Sequence, residues 1–230
     1  MRVQKVCQEE KMRFLRSALM FIAGTIAVQA SGQAGVVDVI GRATWVDHRG
    51  DNRGLPGNPD SGALTFEFDR RTGFGAAVNV FWLPKLSTEF AASWDRPRLD
   101  LSAENPEIPA FGLGSVQIIP VSATLQFHPL PAGRLDPYAG AGGAYAFFGS
   151  LRSDDLKEAG LERIRFQNKA AFVANAGINV PLVRRFALNL DAKYLPLKTS
   201  STTVFTSGSP ESFDLKIHPL ILAAGLSWRF

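Results

Sequence analysis

The chain has 230 residues, of which 46% are hydrophobic and 20% are charged, and its formal net charge is +4. These values fit many folded domains and decide little alone. Residues 1–30 hold five basic and two acidic residues, so the rest of the chain carries only +1 and lacks the basic cluster of a nucleic-acid-binding face. The single cysteine, Cys7, is in the same segment, which excludes a disulfide or thiolate metal site from residues 31–230.

The N-terminus has the organisation of a secretory signal peptide. Arg13 and Arg16 precede an apolar run at residues 18–28, which is too short to cross a bilayer as a helix, and small residues follow it. We expect cleavage after Ala30, with Ala34 as the second choice. Because residues 1–11 form a prefix of mixed charge, Met12 is an alternative start. The predicted organisation is a signal peptide at 1–30 and one domain at 31–230.

From residue 36 onward, short alternating segments replace any helical stripe. The connections between these segments alternate between short and long. The short ones lie at 84–85, 129–135 and 183–184, and the long ones at 49–71, 98–114, 149–167 and 200–211, where 153–158 could form one or two helical turns. The predicted strands are 36–48, 72–83, 86–97, 115–128, 136–148, 168–182, 186–200 and 212–230.

Tight turns on one side, longer loops on the other and an even strand number are typical of outer-membrane barrels. The sequence therefore predicts an all-β fold, an eight-stranded antiparallel transmembrane β-barrel, in contact with the lipid of the outer membrane of a diderm bacterium. Both mature termini would then be periplasmic.

The two faces of the predicted strands differ at a period of two residues. In the seventh strand Phe186, Leu188 and Leu190 share one face, while Asn189 and Asp191 lie on the other. The apolar set is expected to face lipid. Periodicity alone also fits a soluble barrel with its apolar face inside, so another signal is needed.

The end of the chain provides that signal. Leu222, Leu226, Trp228 and the terminal Phe230 share one face, and a terminal aromatic residue suits the aromatic girdle of a membrane barrel. This ending resembles the signal by which the barrel assembly machinery recognises outer-membrane barrels. The resemblance implies that machinery as a partner.

Four stretches of the chain resemble the outer-membrane protein W family: 39–47, 120–128, 136–142 and 216–230. The resemblance implies a narrow eight-stranded barrel for passive uptake of small hydrophobic molecules across the outer membrane. Eight strands are also too few for the open aqueous pore of a bulk-solute porin. His218 departs from the family pattern, where an aspartate is expected before the proline. This leaves any role of that carboxylate in doubt, but not the fold.

Prolines at 120, 196 and 219 each remove a backbone donor near the outer end of a strand. Two of them follow apolar residues on the face that is polar elsewhere. We hypothesise that these residues line an apolar well above a polar plug, so that a molecule would leave sideways. The well comprises Val116, Ile118, Phe213, Leu215 and Ile217, and the plug comprises Arg42, Glu89, Asn175, Asp191 and Lys193.

Each half of this hypothesis has an alternative. The prolines could mark bulges or rims, with the apolar pattern following the bulges. The inward charges could be a paired interior that holds the barrel shut without any transport role. In that case the protein would be a structural or adhesive barrel whose external loops bind a partner.

Nothing in the sequence favours an enzyme or a cofactor. His48, His128 and His218 have no convincing partner pattern and no metal spacing. The sequence also lacks a nucleophile elbow, and the glycines at 140–143 lie inside a strand rather than before a helix. We therefore expect no catalytic residues and no metal.

Overall fold

The computed structural model describes residues 35–50, 64–105, 107, 110–130, 135–151, 161–205 and 210–230. No helix in this part of the chain has the length and apolar content to cross a bilayer. The described residues form strands β1 (Val37–His48), β2 (Leu64–Phe68), β3 (Arg71–Leu83), β4 (Leu86–Trp94), β5 (Arg98–Ala103), β6 (Phe111–Ser115), β7 (Ile118–Phe127), β8 (Asp136–Phe148), β9 (Leu161–Phe166), β10 (Lys169–Val183), β11 (Phe186–Tyr194), β12 (Leu197–Phe205), β13 (Pro210–Ile217) and β14 (Pro219–Arg229).

Eight of these strands close into an antiparallel barrel in the order β1-β14-β11-β10-β8-β7-β4-β3. Strand β1 closes the barrel by pairing with β14 on one side and with β3 on the other. Tight turns at 84–85 and 184–185 join neighbouring strands at one end. The predicted fold class, an eight-stranded antiparallel barrel, is confirmed.

Strand β11 shows how the side chains are distributed across the barrel wall. Leu188 and Leu190 are 37% and 41% exposed, whereas Asn189 and Asp191 are 1% and 5% exposed. Successive residues of a strand point to opposite faces, so the apolar side chains cover the outside and the polar ones fill the inside. This is the distribution that a barrel in lipid requires, and it is the reverse of a soluble barrel.

Aromatic side chains lie at both ends of the apolar exterior. At the end where Val36 and Phe230 lie, here called the terminal end, the Phe186 and Trp228 rings stack with their centroids 6.0 Å apart. At the opposite end, here called the crown end, Phe74 and Trp94 stack at 5.1 Å. Aromatic girdles at both interfaces are a general property of transmembrane barrels.

Six further strands form two three-stranded sheets beyond the crown end, in the orders β13-β12-β9 and β2-β5-β6. The prediction that the segments at 49–71, 98–114, 149–167 and 200–211 are loops was therefore wrong where β2, β5, β6, β9 and the second half of β12 lie, whereas most of β13 was predicted as strand. They carry apolar residues at alternating positions, such as Leu99 and Leu101, and this pattern buries one face of a sheet. The predicted helical turns at 153–158 lie outside the described residues.

The strands predicted at 186–200 and 212–230 are each divided in two by the structure. Pro196 lies between β11 and β12, and His218 separates β13 from β14, which begins at Pro219. Because proline has no backbone donor, it cannot continue a ladder on its N–H side. The prolines therefore separate the barrel from the two crown sheets at these points.

Gly177 on β10 makes room for a polar group inside the barrel. A side chain at this inward position would collide with the ring and the hydroxyl of Tyr138. The glycine lets the Tyr138 ring lie across β10, so that its hydroxyl reaches Asp191 on β11 at 2.8 Å. This is close packing of the kind expected of glycine in a barrel strand.

Candidate functional site

Four of the five residues predicted to line the apolar well lie in one buried cluster. Val116, Ile118, Leu215 and Ile217 are between 0% and 4% exposed. For Phe213 the backbone is described, but its side chain lies outside the described residues. The cluster, here called the crown cluster, comprises Phe68, Leu99, Leu113, Val116, Ile118, Ala146, Phe148, Leu151, Ile164, Phe166, Leu197, Leu215 and Ile217.

The crown cluster joins both crown sheets to the barrel. The ring of Phe166 on β9 lies 6.2 Å from that of Phe68 on β2 and 5.9 Å from that of Phe148 on the barrel strand β8. Apolar side chains thus fill the space between the sheets and the mouth of the barrel. Exposing this surface would be unfavourable by about 2.5 kcal/mol per 100 Å².

The inward face keeps its phase through Pro120. Between β7 and β8 the register is regular from Ile118↔Phe148 to Phe127↔Ala139, with no shift at the proline. Register shifts in the described barrel ladders occur near Leu83 and Val183, at the terminal end. The bulge explanation therefore does not apply to Pro120, and the inward face changes from apolar to polar along one regular strand.

A second apolar layer lies between the crown cluster and the polar interior. It consists of Val46, Ala144, Val173, Leu195 and Ile221, all buried, with Val46 1% and Val173 0% exposed. Four of these residues lie on the barrel strands β1, β8, β10 and β14, and Leu195 directly follows β11. The apolar interior thus extends from the crown into the barrel itself.

Below this layer the residues of the predicted plug lie together. Glu89 forms ion pairs with Arg42 and with Lys193, each at 2.5 Å, and Lys193 also lies 2.8 Å from Asp191. Asn175 donates to Asp191 at 3.2 Å. The two cations are balanced by two carboxylates, as buried charges must be. All five residues are at most 7% exposed.

The sequence reasoning missed how far this polar network extends. Tyr138 donates to Asp191 at 2.8 Å, and Asn189 donates to Tyr138 at 3.1 Å and to Asn179 at 2.7 Å. Asn179 in turn donates to Asp136 at 3.1 Å, close to the terminal end. Asn179 shares the inward parity of Asn175 on β10, Asn189 shares that of Asp191 on β11, and Tyr138 and Asp136 share one face of β8. Parity was therefore the signal that could have found them.

The histidines have partners that their sequence neighbours did not reveal. His128 Nδ1 lies 2.8 Å from Asp136 Oδ1, and its Nε2 lies 2.9 Å from Ser87 Oγ. A serine, a histidine and a carboxylate in this order also occur in hydrolases. Here, however, Ser87 and His128 are 0% exposed, and the rings of Phe81 and Tyr138 lie against the histidine. The arrangement suits a structural floor at the terminal end.

Replacing His128 with alanine is expected to reduce the free energy of unfolding by about 1–3 kcal/mol. The loss would leave the buried carboxylate of Asp136 with Asn179 as its remaining hydrogen-bond partner among the described residues. Urea titration of the refolded barrel in lipid vesicles measures the change. His218→Ala is the matched control, because His218 is only half-buried at the crown end. Equal stability of the two variants would contradict the assignment of His128 to the floor.

His48 forms the corresponding contact at the crown end. Its Nε2 lies 2.9 Å from Asp95 Oδ2, and both side chains are buried. Asp95 also pairs through its backbone with Ile118, so this contact connects β1 to β4 and β7. In the described part of the chain no group of three His, Cys, Asp or Glu side chains could hold a metal.

A cavity of about 30 Å³ lies where the apolar layer meets the plug. Roughly two water-sized groups fit a space of this volume. Its lining is mostly apolar, with a few polar groups from the plug and its surroundings. The lining residues are Arg42, Thr44, Gly75, Ala76, Ala91, Ala92, Ser93, Pro120, Ser122, Asp191, Lys193, Leu195, Ile221 and Ala223.

The barrel ladder is interrupted beside this cavity. Strands β4 and β7 pair from Leu86↔Phe127 to Ala92↔Val121, and the next pair in the same register is the bridge between Asp95 and Ile118. Because hydrogen-bonded pairs alternate in an antiparallel ladder, Ser93 should exchange hydrogen bonds with residue 120. That residue is Pro120, which has no donor. The ladder therefore lacks a hydrogen bond at the level of the cavity, and this interruption of the pairing between β4 and β7 is called the gap below.

A closed antiparallel barrel with an apolar exterior, two aromatic girdles and a polar interior defines this molecule as an outer-membrane β-barrel protein. A sequence model of the OmpW family matches residues 33–230, and the chain belongs to that family.

The proteins that are similar to the chain include two curated relatives and two solved structures of outer-membrane proteins. It is 28% identical over 126 residues to the uncharacterized outer-membrane protein y4mB of Sinorhizobium fredii, covering 54% of this chain and 53% of the relative. It is 33% identical over 116 residues to the outer membrane protein AlkL of Ectopseudomonas oleovorans, covering 48% and 46%. The chain thus spans about half the length of these relatives.

The two solved structures share the fold. The crystal structure of OprG from Pseudomonas aeruginosa superposes with a TM-score of 0.75 at 19% identity, covering 87% of this chain and 98% of that one. The solid-state NMR structure of AlkL in lipid bilayers gives a TM-score of 0.61 at 22% identity, covering 89% and 94%. At these identities the likeness shows the fold alone.

Proposed function

We propose that the protein is a narrow channel for the passive uptake of small hydrophobic molecules across the outer membrane. The observation that carries the proposal is the continuous apolar interior, which runs from the crown cluster through the second layer to the cavity beside the wall gap. A hydrophobic molecule exchanges water for apolar surroundings along this path, a change worth about 2.5 kcal/mol per 100 Å² buried.

The plug determines where such a molecule goes next. Arg42, Glu89, Asp191 and Lys193 form a balanced set of buried charges, and separating them to let an apolar molecule pass would be strongly unfavourable. The gap beside Pro120 offers a route into the surrounding lipid instead. We therefore propose that the molecule leaves sideways between β4 and β7.

The proposal also fixes the orientation of the barrel. The crown faces outward, and the terminal end with Phe230 faces the periplasm, in agreement with the tight turns at 84–85 and 184–185 on the same side. The crown then takes up molecules from outside, and they leave into the lipid of the outer membrane. An assembly partner that recognises the last strand would approach from the periplasm.

Uptake by vesicles tests the proposal directly. The purified barrel is refolded into vesicles with lipopolysaccharide in the outer leaflet, and the arrival of N-phenyl-1-naphthylamine in lipid is followed by its fluorescence. We expect faster arrival than in vesicles without protein. If a barrel that migrates as a folded species on unheated gels gives no increase, the channel proposal fails and a structural or adhesive role becomes the better one.

Replacing Pro120 with alanine is expected to slow uptake by about 3- to 10-fold, the effect of one added backbone hydrogen bond on the gap. Alanine restores the N–H that can donate to Ser93 and extend the β4–β7 ladder. Pro219→Ala is the matched control, because Pro219 is already paired in register with His48. Uptake slowed equally by both changes, or by neither, would contradict an exit at this gap.

A further inference from the structure

The small cavity above the plug has a chemistry that a purely apolar channel does not need. Its lining includes three residues that carry a hydroxyl group, Thr44, Ser93 and Ser122, as well as the apolar residues Leu195 and Ile221. Thr44 is 5% exposed, and its Oγ1 is buried without a hydrogen-bond partner among the described residues. A buried hydroxyl without a partner is uncommon in native proteins and requires an explanation.

We propose that the cavity is a binding subsite for the neutral polar head, a hydroxyl or carbonyl oxygen, of a small amphipathic molecule whose tail lies in the apolar layer. This inference rests on the proposed channel function and specifies its substrate class. The Thr44 hydroxyl can donate to a carbonyl or alcohol oxygen and can accept from an alcohol. The volume of about 30 Å³ suits one such oxygen and an adjoining carbon.

The buried charges of the plug favour a ligand whose polar head is neutral. Glu89 pairs with both Arg42 and Lys193, and Lys193 pairs with Asp191, so two cations already face two carboxylates. A carboxylate head would add an unbalanced negative charge to this buried set, and an ammonium head would add a positive one. A neutral hydrogen-bonding head adds no net charge.

The tail of the molecule would follow the existing apolar surfaces. Leu195 and Ile221 belong both to the second apolar layer and to the cavity lining, so the cavity directly borders the apolar layer. On the wall side the lining consists of small residues, including Gly75, Ala91 and Ala92, next to the gap at Pro120. A molecule held by its head at Thr44 therefore lies beside the exit proposed for it.

The test is a titration of the barrel in lipid nanodiscs with 1-octanol and with n-octane, read from the methyl NMR signal of Ile221. We expect 1-octanol to shift this signal at concentrations about 3- to 10-fold lower than n-octane does, relative to the concentration of each in the lipid. Thr44→Val should remove this preference, because the change corresponds to one neutral hydrogen bond. Octanoate should bind more weakly than 1-octanol.

Thr124→Val is the matched control. Thr124 is 1% exposed on β7, its Oγ1 also lacks a partner among the described residues, and it does not belong to the cavity lining. This variant should keep the preference for 1-octanol. Equal binding of 1-octanol and n-octane, a preference unchanged by Thr44→Val, or tighter binding of octanoate would each overturn the subsite. Since the titration requires no uptake, a failure of the vesicle assay would count against the channel and not against the subsite.

Discussion

A channel carrying Leu215→Asp is expected to lose at least about nine-tenths of its uptake of an apolar compound, equivalent to about 1.4 kcal/mol or more. Leu215 is 1% exposed inside the crown cluster, and a carboxylate there either remains charged in apolar surroundings or draws water into them. Both outcomes raise the free energy of an apolar molecule on the path. Ile118→Asp should act in the same way from the barrel strand β7.

The control for this experiment is Ser212→Asp, which adds the same charge to the exposed face of the same strand, β13. Its uptake should equal that of the unmodified protein. Migration on unheated gels must show a folded barrel for each variant before rates are compared. Normal uptake by folded Leu215→Asp and Ile118→Asp would mean that the apolar molecules do not pass through the crown cluster.

The second large effect is expected for stability. Glu89→Gln should lower the free energy of unfolding by about 3–5 kcal/mol, because it leaves two buried cations facing the single carboxylate of Asp191. Glu89 is 1% exposed and contacts Arg42 and Lys193 at 2.5 Å each. Urea titration in lipid vesicles, with tryptophan fluorescence as the signal, measures the loss.

Two further variants separate charge imbalance from lost packing. Glu67→Gln makes the same chemical change at an exposed position on β2 and should alter stability by less than about 0.5 kcal/mol. The double variant Glu89→Gln/Lys193→Gln restores one cation to one carboxylate, so it should be more stable than Glu89→Gln alone. A double variant less stable than the single one would show that the charge balance is not what Glu89 provides.

The barrel is predictable from the sequence because its signals are local. A strand such as β11 shows its two faces through alternation, and Trp228 and Phe230 mark a membrane interface at the end of the chain. The same inward parity predicts that Arg42, Glu89 and Lys193 lie on the polar side of the wall. Each of these inferences needs only residues within one strand.

What the sequence could not provide was the set of neighbours across strands. Glu89 and Lys193 are 104 residues apart, and Ser87 and His128 are 41 apart, so their contacts depend on the register and curvature of the closed barrel. The parity of a residue identifies the face of the strand on which it lies, but not its height along the barrel axis relative to residues of other strands. For the same reason the polar chain through Tyr138 to Asp136 was not foreseen.

Strands β2, β5, β6 and β9 of the crown were mistaken for loops for a different reason. The crown strands are short, and prolines at 97, 196 and 219 lie close to their ends. Short segments interrupted by prolines are typical of loops, so the sequence pattern indicated loops here. The alternating apolar residues that they contain become informative only when two sheets pack their inward faces together, as Phe68 and Phe166 do. Sheet formation outside the barrel is therefore a tertiary property.

The barrel and the crown are held together by different interactions, so separating their parts has different costs. Parting two neighbouring strands of the barrel breaks backbone hydrogen bonds that nothing in lipid can replace. The two crown sheets, by contrast, are separate in the described residues and meet through the side chains of the crown cluster, so they can part without loss of any hydrogen bond within either sheet. Opening the crown would therefore cost only the burial of apolar surface, whereas opening the wall away from Pro120 would also cost backbone hydrogen bonds.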